Sequence, residues 1–244
     1  MSASLRPEPI VRLDRATKVF RTGGPPTTAV NGVSFEAFPG EVLLLLGPSG
    51  SGKSTLLSLA AGLSRPTSGF VHLWGKRLDA FTPRELQRLR AEKVGLVFQT
   101  FWLVDALTVR ENVEVVLRFR GCRRAERKAR TRLLLEGMKV GHLADRFPPR
   151  LSQGEKQRVA VARAVANGAE LLIADEPTGS LETSQGLDII RLLHAQAKDR
   201  GSAVLVASHD LRLTEYADRT LHLVDGSVVR DENRAGSLLA GSLI

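Results

Sequence analysis

Two patterns of apolar residues divide the chain into different kinds of strand. Apolar and polar residues alternate over residues 10–20, 30–38 and 70–74, which predicts strands with one exposed face. Short runs that are almost entirely apolar occur at 41–46, 94–98, 171–174 and 203–207, and these predict strands buried on both faces. We therefore expect antiparallel strands near the N-terminus and a parallel sheet with crossover helices from the later strands.

Helical patterns and turns complete the prediction of an α/β fold. From residue 108 to about 167 the pattern is helical and rich in charge, with a break at Pro148 and Pro149. A helix is also predicted to begin at Thr82, where a capping residue precedes proline, and another spans 183–200. Residues 221–224 and 227–230 flank an Asp-Gly pair, which is typical of a hairpin with a two-residue turn.

The segment that follows the first buried run has the sequence G-P-S-G-S-G-K-S, which fits the phosphate-binding pattern G-x-x-x-x-G-K-[ST]. Its glycines let backbone N–H groups point inward, and the start of the next helix adds partial positive charge. Lys53 can reach the β- and γ-phosphates of a nucleoside triphosphate, and the Ser54 hydroxyl can ligate Mg²⁺. The predicted nucleotide contacts here are Gly47, Pro48, Ser49, Gly50, Ser51, Gly52, Lys53, Ser54 and Thr55.

Polar residues stand at the ends of the later strands, the edge where ligands bind in parallel sheets. Asp175 follows a fully apolar run, and its carboxylate can hold Mg²⁺ through water. Glu176 can orient or deprotonate an attacking water molecule. Gln99 can ligate the metal or the water, and His209 can hydrogen-bond the γ-phosphate. The alternative is that these are ordinary polar residues that cap strands, but their placement beside a phosphate loop favours catalysis.

Length and hydrophobicity are those of a globular protein. The chain has 244 residues, of which 43% are hydrophobic, enough for one large α/β domain with a core of its own. No apolar run approaches the roughly 18 residues of a membrane span, and residues 1–10 lack a signal-peptide pattern. These features predict a cytoplasmic protein. The lone Cys122 excludes an internal disulfide and a cysteine-based metal cluster.

The net charge of +9 leaves two interpretations open. A basic protein suits nucleic acid or an anionic membrane surface. Alternatively, the composition is simply rich in arginine, because the basic residues are spread along the chain apart from residues 118–132. That segment has the pattern of the polar face of a helix.

Taken together, the motifs resemble the nucleotide-binding subunit of an ATP-binding cassette (ABC) transporter. They are the phosphate loop, Gln99, L-S-Q-G-E-K-Q-R-V-A-V-A-R-A from residue 151, L-L-I-A-D-E-P-T-G-S-L-E from residue 171, and S-H-D at 208–210. The resemblance covers about residues 10 to 230. G-L-x-x-P-T-S-G and L-T-V-R-E-N-V-E are similar to the ATPases of lipoprotein-release and macrolide-export systems.

The resemblance implies an architecture and partners. It implies a RecA-like phosphate-loop core with a mainly parallel sheet and an antiparallel β subdomain, over residues 1–99 and 166–230. Residues 100–165 would form an inserted helical subdomain, and 231–244 a tail. The protein would bind ATP and Mg²⁺, form a head-to-tail dimer with a second copy, and power a separate membrane-spanning permease at the inner face of the cell membrane. Export, lipoprotein release or mechanical transmission would be its task.

The resemblance also assigns roles to residues beyond the phosphate loop. Phe20 would stack on adenine, Glu176 would be the general base, and His209 would contact the γ-phosphate. The signature residues Ser152, Gln153, Gly154 and Glu155 would contact the ATP held by the second copy. The chain departs from the family pattern at Gln153, usually Gly, at Glu155, usually Gln, and at Glu182 in the loop that links the two sites, usually Asp.

Two other functions fit the same motifs. An ABC-type ATPase could instead act on nucleic acid or in translation, which the basic charge favours, although a second phosphate loop and a long coiled-coil insertion are missing. A non-catalytic module could use ATP only to dimerise, but Lys53, Asp175, Glu176 and His209 are all in place. For Phe101-Trp102-Leu103-Val104, the alternatives are packing under the helical region and a groove for a helix of the permease.

Overall fold

The computed structural model describes residues 7–21, 23–179, 181 and 183–233. Along the chain the strands and helices are β1 (Val11–Phe20), β2 (Thr27–Ala37), β3 (Val42–Leu46), α1 (Lys53–Ala60), β4 (Ser68–Leu73), β5 (Lys76–Arg77), α2 (Pro83–Lys93), β6 (Val94–Val97), α3 (Val109–Phe119), α4 (Arg124–Gly137), α5 (Gln153–Ala166), β7 (Leu171–Asp175), α6 (Thr183–Arg200), β8 (Ala203–Ser208), β9 (Arg219–Val224) and β10 (Ser227–Asn233). Short 3₁₀ turns lie at Leu78–Ala80, Gly141–Leu143, Pro148–Arg150 and Leu211–Tyr216.

The N-terminal strands form a four-stranded sheet in the order β2-β1-β4-β5, and every pairing in it is antiparallel. Leu13 of β1 lies opposite Phe35 of β2 and Val71 of β4, and all three side chains are buried. Their neighbours along each strand turn to the other face, as the alternating pattern predicts. The expected antiparallel β layer is therefore present.

The apolar runs form the second sheet, in the order β10-β9-β3-β8-β7-β6. Its strands are parallel except for β10, which pairs antiparallel with β9. All five residues of β3 and all six of β8 are buried, because layers cover both faces. Since β3, β6, β7 and β8 run in the same direction, their carboxyl ends share one edge. This edge receives the phosphate loop, Gln99, Glu176 and His209.

Alternate residues of β3 belong to two separate cores. Leu44 and Leu46 pack with the core that includes Val113 of α3 and Val161 of α5. Leu43 and Leu45 pack with the core shared by α1 and the antiparallel sheet. The sheet is thus the middle layer, with the helical region on one face and the β layer on the other.

Local signals place several helix starts where the sequence predicts them. Thr82, Thr108 and Ser152 each accept a hydrogen bond from the backbone N–H three residues on, and the backbone N–H of each cap donates to the side chain of the glutamate at that position. The charged pattern from 108 to 167 is resolved into α3, α4 and α5. No helix in the described part of the chain is both long and apolar enough to cross a membrane.

The final strand is longer than predicted. β10 runs to Asn233, three residues beyond the expected end, so the start of the predicted tail at residue 231 is wrong. Asp231 accepts two hydrogen bonds from Arg219, and Glu232 lies 3.0 Å from His222 Nε2, so polar pairs extend the ladder where the apolar pattern stops. The remainder of the predicted tail, residues 234–244, lies outside the described residues.

Candidate functional site

The phosphate loop bends tightly between β3 and α1. Gly50 and Gly52 have φ angles of 81° and 97°, which side chains rarely tolerate. A Cβ at Gly52 would lie 2.1 Å from the carbonyl oxygen of Ala29, and one at Gly47 would lie 2.3 Å from that of Leu223. Only glycine fits between these backbones. The loop is therefore held against β2 on one side and β9 on the other.

A cavity of about 330 Å³ opens at this edge of the sheet. Lys53 sits in its wall with 6% of its surface exposed, and its Nζ donates to the carbonyl oxygens of Gly47 and Pro48 at 2.7 and 2.9 Å. The residues that line the cavity are Ala29, Ser49, Gly50, Gly52, Lys53, Ser54, Thr55, Gln99, Glu176 and His209. The structure thus brings Gln99, Glu176 and His209 to the phosphate loop, from segments far apart in the chain.

Glu176 lies at the centre of a charged group beside the loop. One carboxylate oxygen lies 3.6 Å from Lys53 Nζ, and the other lies 3.1 Å from His209 Nδ1. Ser208 Oγ donates to the same carboxylate at 3.4 Å. The Glu176 side chain is only 14% exposed, whereas His209 is 67% exposed. A carboxylate in this position can accept a proton from water in the cavity, while the open histidine is free to meet a ligand.

Asp175 supplies a half-buried carboxylate that fits a metal ion. Burial raises the pKa of its carboxyl, and a hydrogen bond from Ser54 opposes that shift. Its Oδ1 is buried without a hydrogen-bond partner. No group of three or more His, Cys, Asp or Glu side chains in the described ranges could hold a metal by itself. This combination suits Mg²⁺, which takes one or two protein oxygens and completes its shell with water and phosphate.

The apolar segment 101–104, which follows Gln99, was predicted either to pack under the helical region or to form a groove for a permease helix. Its residues differ in burial. Phe101 is buried, with 8% exposed, and Leu103 packs against the core of the helical region. Trp102 is 64% exposed and Val104 is 47% exposed, although Trp102 stacks on Phe98 with ring centroids 4.2 Å apart. Phe101 and Leu103 are therefore covered, Leu103 by the helical region, whereas Trp102 and Val104 face outward. Their alternation follows the turn of the backbone, which the apolar run alone did not reveal.

Phe20 ends β1 with 42% of its surface exposed, and Lys18 Nζ lies 5.4 Å from the centre of its ring. It is not among the residues that line the cavity. An exposed ring at a strand end can stack on a nucleobase, so the adenine contact stays a prediction.

The signature residues lie away from the phosphate loop of their own chain. Ser152, Gln153, Gly154 and Glu155 are at the start of α5, and none lines the cavity. Glu155 accepts a hydrogen bond from the Ser152 N–H at 2.7 Å, which lowers the pKa of its carboxyl. Glu in place of the usual Gln therefore completes the capping box. Ser180 and Glu182 of the linking loop lie outside the described residues.

Three contributors to the site were not predicted from the sequence. Ala29 lines the cavity and confines Gly52 through its carbonyl group. Ser208 donates to Glu176, and Gly226 N donates to Ser51 O at 3.0 Å, so the β9–β10 turn supports the phosphate loop. Ser208 stands beside His209 at a strand end and could have been found by that signal. The backbone contacts of Ala29 and Gly226 could not have been predicted from the residues around them in the sequence.

Comparison with known proteins decides the family. A family model described as ABC transporter matches residues 30–179. The chain belongs to the ABC transporter family. This confirms the resemblance and the prediction of an ABC-type ATPase, while the nucleic-acid alternative finds no support.

Relatives of two kinds are similar over almost the whole chain. The lipoprotein-releasing system ATP-binding protein LolD 2 of Caulobacter vibrioides is 39% identical over 90% of this chain and 96% of its own length. The macrolide export ATP-binding/permease protein MacB of Marinobacter nauticus is 37% identical over 93% of this chain. This chain spans only 35% of that longer relative.

A solved structure confirms the fold. The ATP-binding cassette MJ0796, whose sequence is from Methanocaldococcus jannaschii, was solved as a dimer in a post-hydrolysis state bound to ADP and Pi. It superposes with a TM-score of 0.88 at 35% identity, covering 93% of this chain and all of that one. The RecA-like core with its β layer and helical region is thereby confirmed.

Proposed function

We propose that this ABC ATPase hydrolyses ATP between two head-to-tail copies and thereby drives a membrane-spanning permease for export, lipoprotein release or mechanical transmission. The observation that carries the proposal is the convergence of Lys53, Gln99, Glu176 and His209 on one cavity at the phosphate loop. The names of the relatives favour the transport task.

The reaction is phosphoryl transfer to water, which depends on positioning and charge stabilisation. Lys53 leaves its loop carbonyls to contact the phosphates, and Glu176 takes the proton of the attacking water. His209, tied to Glu176 and exposed on its other side, contacts the γ-phosphate. Ser54, Asp175 and Gln99 would hold Mg²⁺, which neutralises developing phosphate charge when bound.

The position of the signature supports the composite site. Ser152 and Gly154 begin a helix of 14 residues whose N-terminus can bind an anion, yet no phosphate loop of the same chain lies there. In the head-to-tail arrangement, this N-terminus contacts the γ-phosphate held by the other copy. ATP then favours the closed dimer and hydrolysis releases it.

Disulfide crosslinking tests this arrangement directly. Replacing the lone Cys122 by Ser gives a background without cysteine. In it, Ser49→Cys on the loop and Gln153→Cys on the signature should crosslink between chains when ATP and Mg²⁺ are added. Gln87→Cys, an exposed glutamine on α2, replaces Gln153→Cys as the control and should not crosslink. Crosslinks found only within one chain would rule out the head-to-tail dimer.

A second cavity supports the permease as partner. Binding to a permease would place the protein at the inner face of the membrane. It has a volume of about 920 Å³ and lies between α4 and the 3₁₀ turn at Gly141–Leu143. Ala125 and Ala129 contribute exposed apolar surface. The basic residues of the lining, Arg110, Lys128, Arg132 and Lys139, outnumber its acidic residue, Glu136. An amphipathic helix with acidic residues fits this combination.

Binding assays with the permease separate this cavity from the exposed Trp102. Arg132→Glu should weaken co-purification at least tenfold if the cavity receives the helix, and Trp102→Ala should do so if the segment after Gln99 is the anchor. ATP hydrolysis by the isolated protein should stay within about threefold in both variants. If both variants co-purify with the permease as fully as the unmodified protein does, neither the cavity nor Trp102 is the docking site.

A further inference from the structure

Arg163 is a partly buried cation that bonds to a backbone segment instead of a carboxylate. Its Nη2 donates to the carbonyl oxygen of Phe101 at 2.7 Å, and its Nη1 donates to that of Trp102. Burial lowers the pKa of the guanidinium. Within the described ranges no carboxylate lies within ion-pair distance of it. A partly buried charge that bonds to two carbonyl groups has lost part of its hydration without gaining an ion pair, so the arrangement calls for a physical reason.

The segment that Arg163 holds has an unusual backbone. Phe101 and Trp102 have φ angles of 61° and 48°, and consecutive non-glycine residues seldom adopt this left-handed conformation. Such a conformation persists when its surroundings over-determine it. Here the stack of Phe98 on Trp102 and the two hydrogen bonds from Arg163 do so.

A second clamp fixes the other end of the segment to α3. Asn112 is fully buried, and its Oδ1 accepts from the Val104 N–H at 2.8 Å. Its Nδ2 donates to the carbonyl oxygens of Val104, Leu107 and Thr108. Hydrogen bonds from Arg163 and Asn112 therefore attach residues 101–108 to the helical region. Gln99 lies two residues before the first of these bonds.

We propose that Arg163 is a positioning residue that fixes Gln99 relative to the signature helix α5. Gln99 lines the cavity of its own chain two residues before Phe101. Ser152 caps the same helix that carries Arg163, about 16 Å away along the axis. A contact between Gln99 and bound nucleotide therefore acts on the helix whose N-terminus serves the other copy. This inference rests on the proposed composite site and names the residue that connects its two halves.

The two tryptophans of the chain allow a direct test. Trp74→Phe leaves Trp102 as the sole tryptophan, placed beside the Arg163 contact. In this parent, ATP with Mg²⁺ should change Trp102 emission. Adding Arg163→Met should abolish that change and lower kcat about tenfold, with KM for ATP within threefold. Arg163→Lys, which keeps a charged donor, should restore part of the change in Trp102 emission and part of kcat.

Arg158→Met is the matched control on the same helix. It removes the same charge, but Arg158 contacts Asp188 of α6 instead of the segment after Gln99. The Trp102 response should persist in it. If Arg163→Met does not fold, Arg163→Gln replaces it, because a neutral amide is easier to bury and too short to bridge both carbonyl groups.

Three results would overturn the proposal. The first is a folded Arg163→Met or Arg163→Gln variant with parental kcat and Trp102 response. The second is a parent that binds ATP without any change in Trp102 emission. The third is a parent that neither binds nor hydrolyses ATP, and this result alone would also overturn the proposed function.

Discussion

Replacing Glu176 by Gln tests the centre of the site. The amide keeps the shape of the side chain, and it can still hydrogen-bond to His209. It cannot accept a proton from water, and it ends the ion pair in which Lys53 Nζ lies 3.6 Å from the carboxylate. Turnover and ATP affinity should therefore change in opposite directions.

The contacts set the expected magnitudes. A positioned general base contributes about 10²- to 10⁴-fold, so turnover should fall at least about 100-fold, or about 2.7 kcal/mol. At an effective dielectric constant of about 20, charges 3.6 Å apart attract by about 5 kcal/mol before desolvation is subtracted. Because ATP competes with Glu176 for Lys53, losing that carboxylate should tighten ATP binding by about tenfold, a net 1.4 kcal/mol.

Phosphate release measures turnover, and calorimetry with ATP and Mg²⁺ measures affinity. Light scattering should show that an ATP-bound dimer accumulates. Glu176→Asp is the informative comparison, because it keeps the charge but withdraws the carboxylate by one methylene. Its turnover should fall without any gain in affinity. Glu170→Gln, at the opposite end of the same strand and bonded to Trp74 and Lys93, should leave both quantities unchanged.

Near-normal turnover of Glu176→Gln would remove Glu176 from the role of base. Reduced turnover with unchanged ATP affinity would refute the competition for Lys53. In that case Lys53 would bind ATP through the position it already occupies against the carbonyl oxygens of Gly47 and Pro48.

Three further changes test the structure around the site. Asn112→Ala leaves the Val104 N–H without its partner and should cost about 3 kcal/mol, a fall of about 6–12 °C in Tm by calorimetry. Gly52→Ala should weaken ATP binding more than tenfold in the same titration, because its Cβ would meet Ala29 O at 2.1 Å, whereas Gly50→Ala has open space and should cost less. Burial raises the pKa of Glu41 above 4.5, so the folded state holds that proton more tightly and stability falls as pH rises through the folded pKa. In urea unfolding at pH 4.5–8, Glu41→Gln should lack this decline.

The sequence alone was sufficient for features that depend on near neighbours. Apolar runs predicted which strands are buried on both faces, because side-chain direction alternates along any strand. Thr82 marked a helix start, since a cap bonds to the N–H three residues on. The glycine-rich loop between a buried run and a helix predicted phosphate binding, because its backbone conformation is a local property.

The tertiary structure decided which distant atoms meet. Gly52 packs against a carbonyl group of β2, and Gly47 packs against one of β9. The local sequence pattern does not indicate either contact. β10 continues beyond the end of its apolar pattern because Arg219, on the paired strand β9, donates a hydrogen bond to Asp231. The run from Phe101 to Val104 is uniformly apolar in sequence, yet alternate residues face opposite ways.

Arg163 shows most clearly why the remainder could not be predicted. In the sequence it is one of two arginines on α5, and its spacing suggests an ordinary polar position. Folding places α5 against the segment that follows Gln99, and two carbonyl groups in left-handed turns then point at its guanidinium. A local pattern determines which face of a helix is apolar, but the partner of a polar side chain depends on which backbone the packing of the core brings within hydrogen-bonding distance.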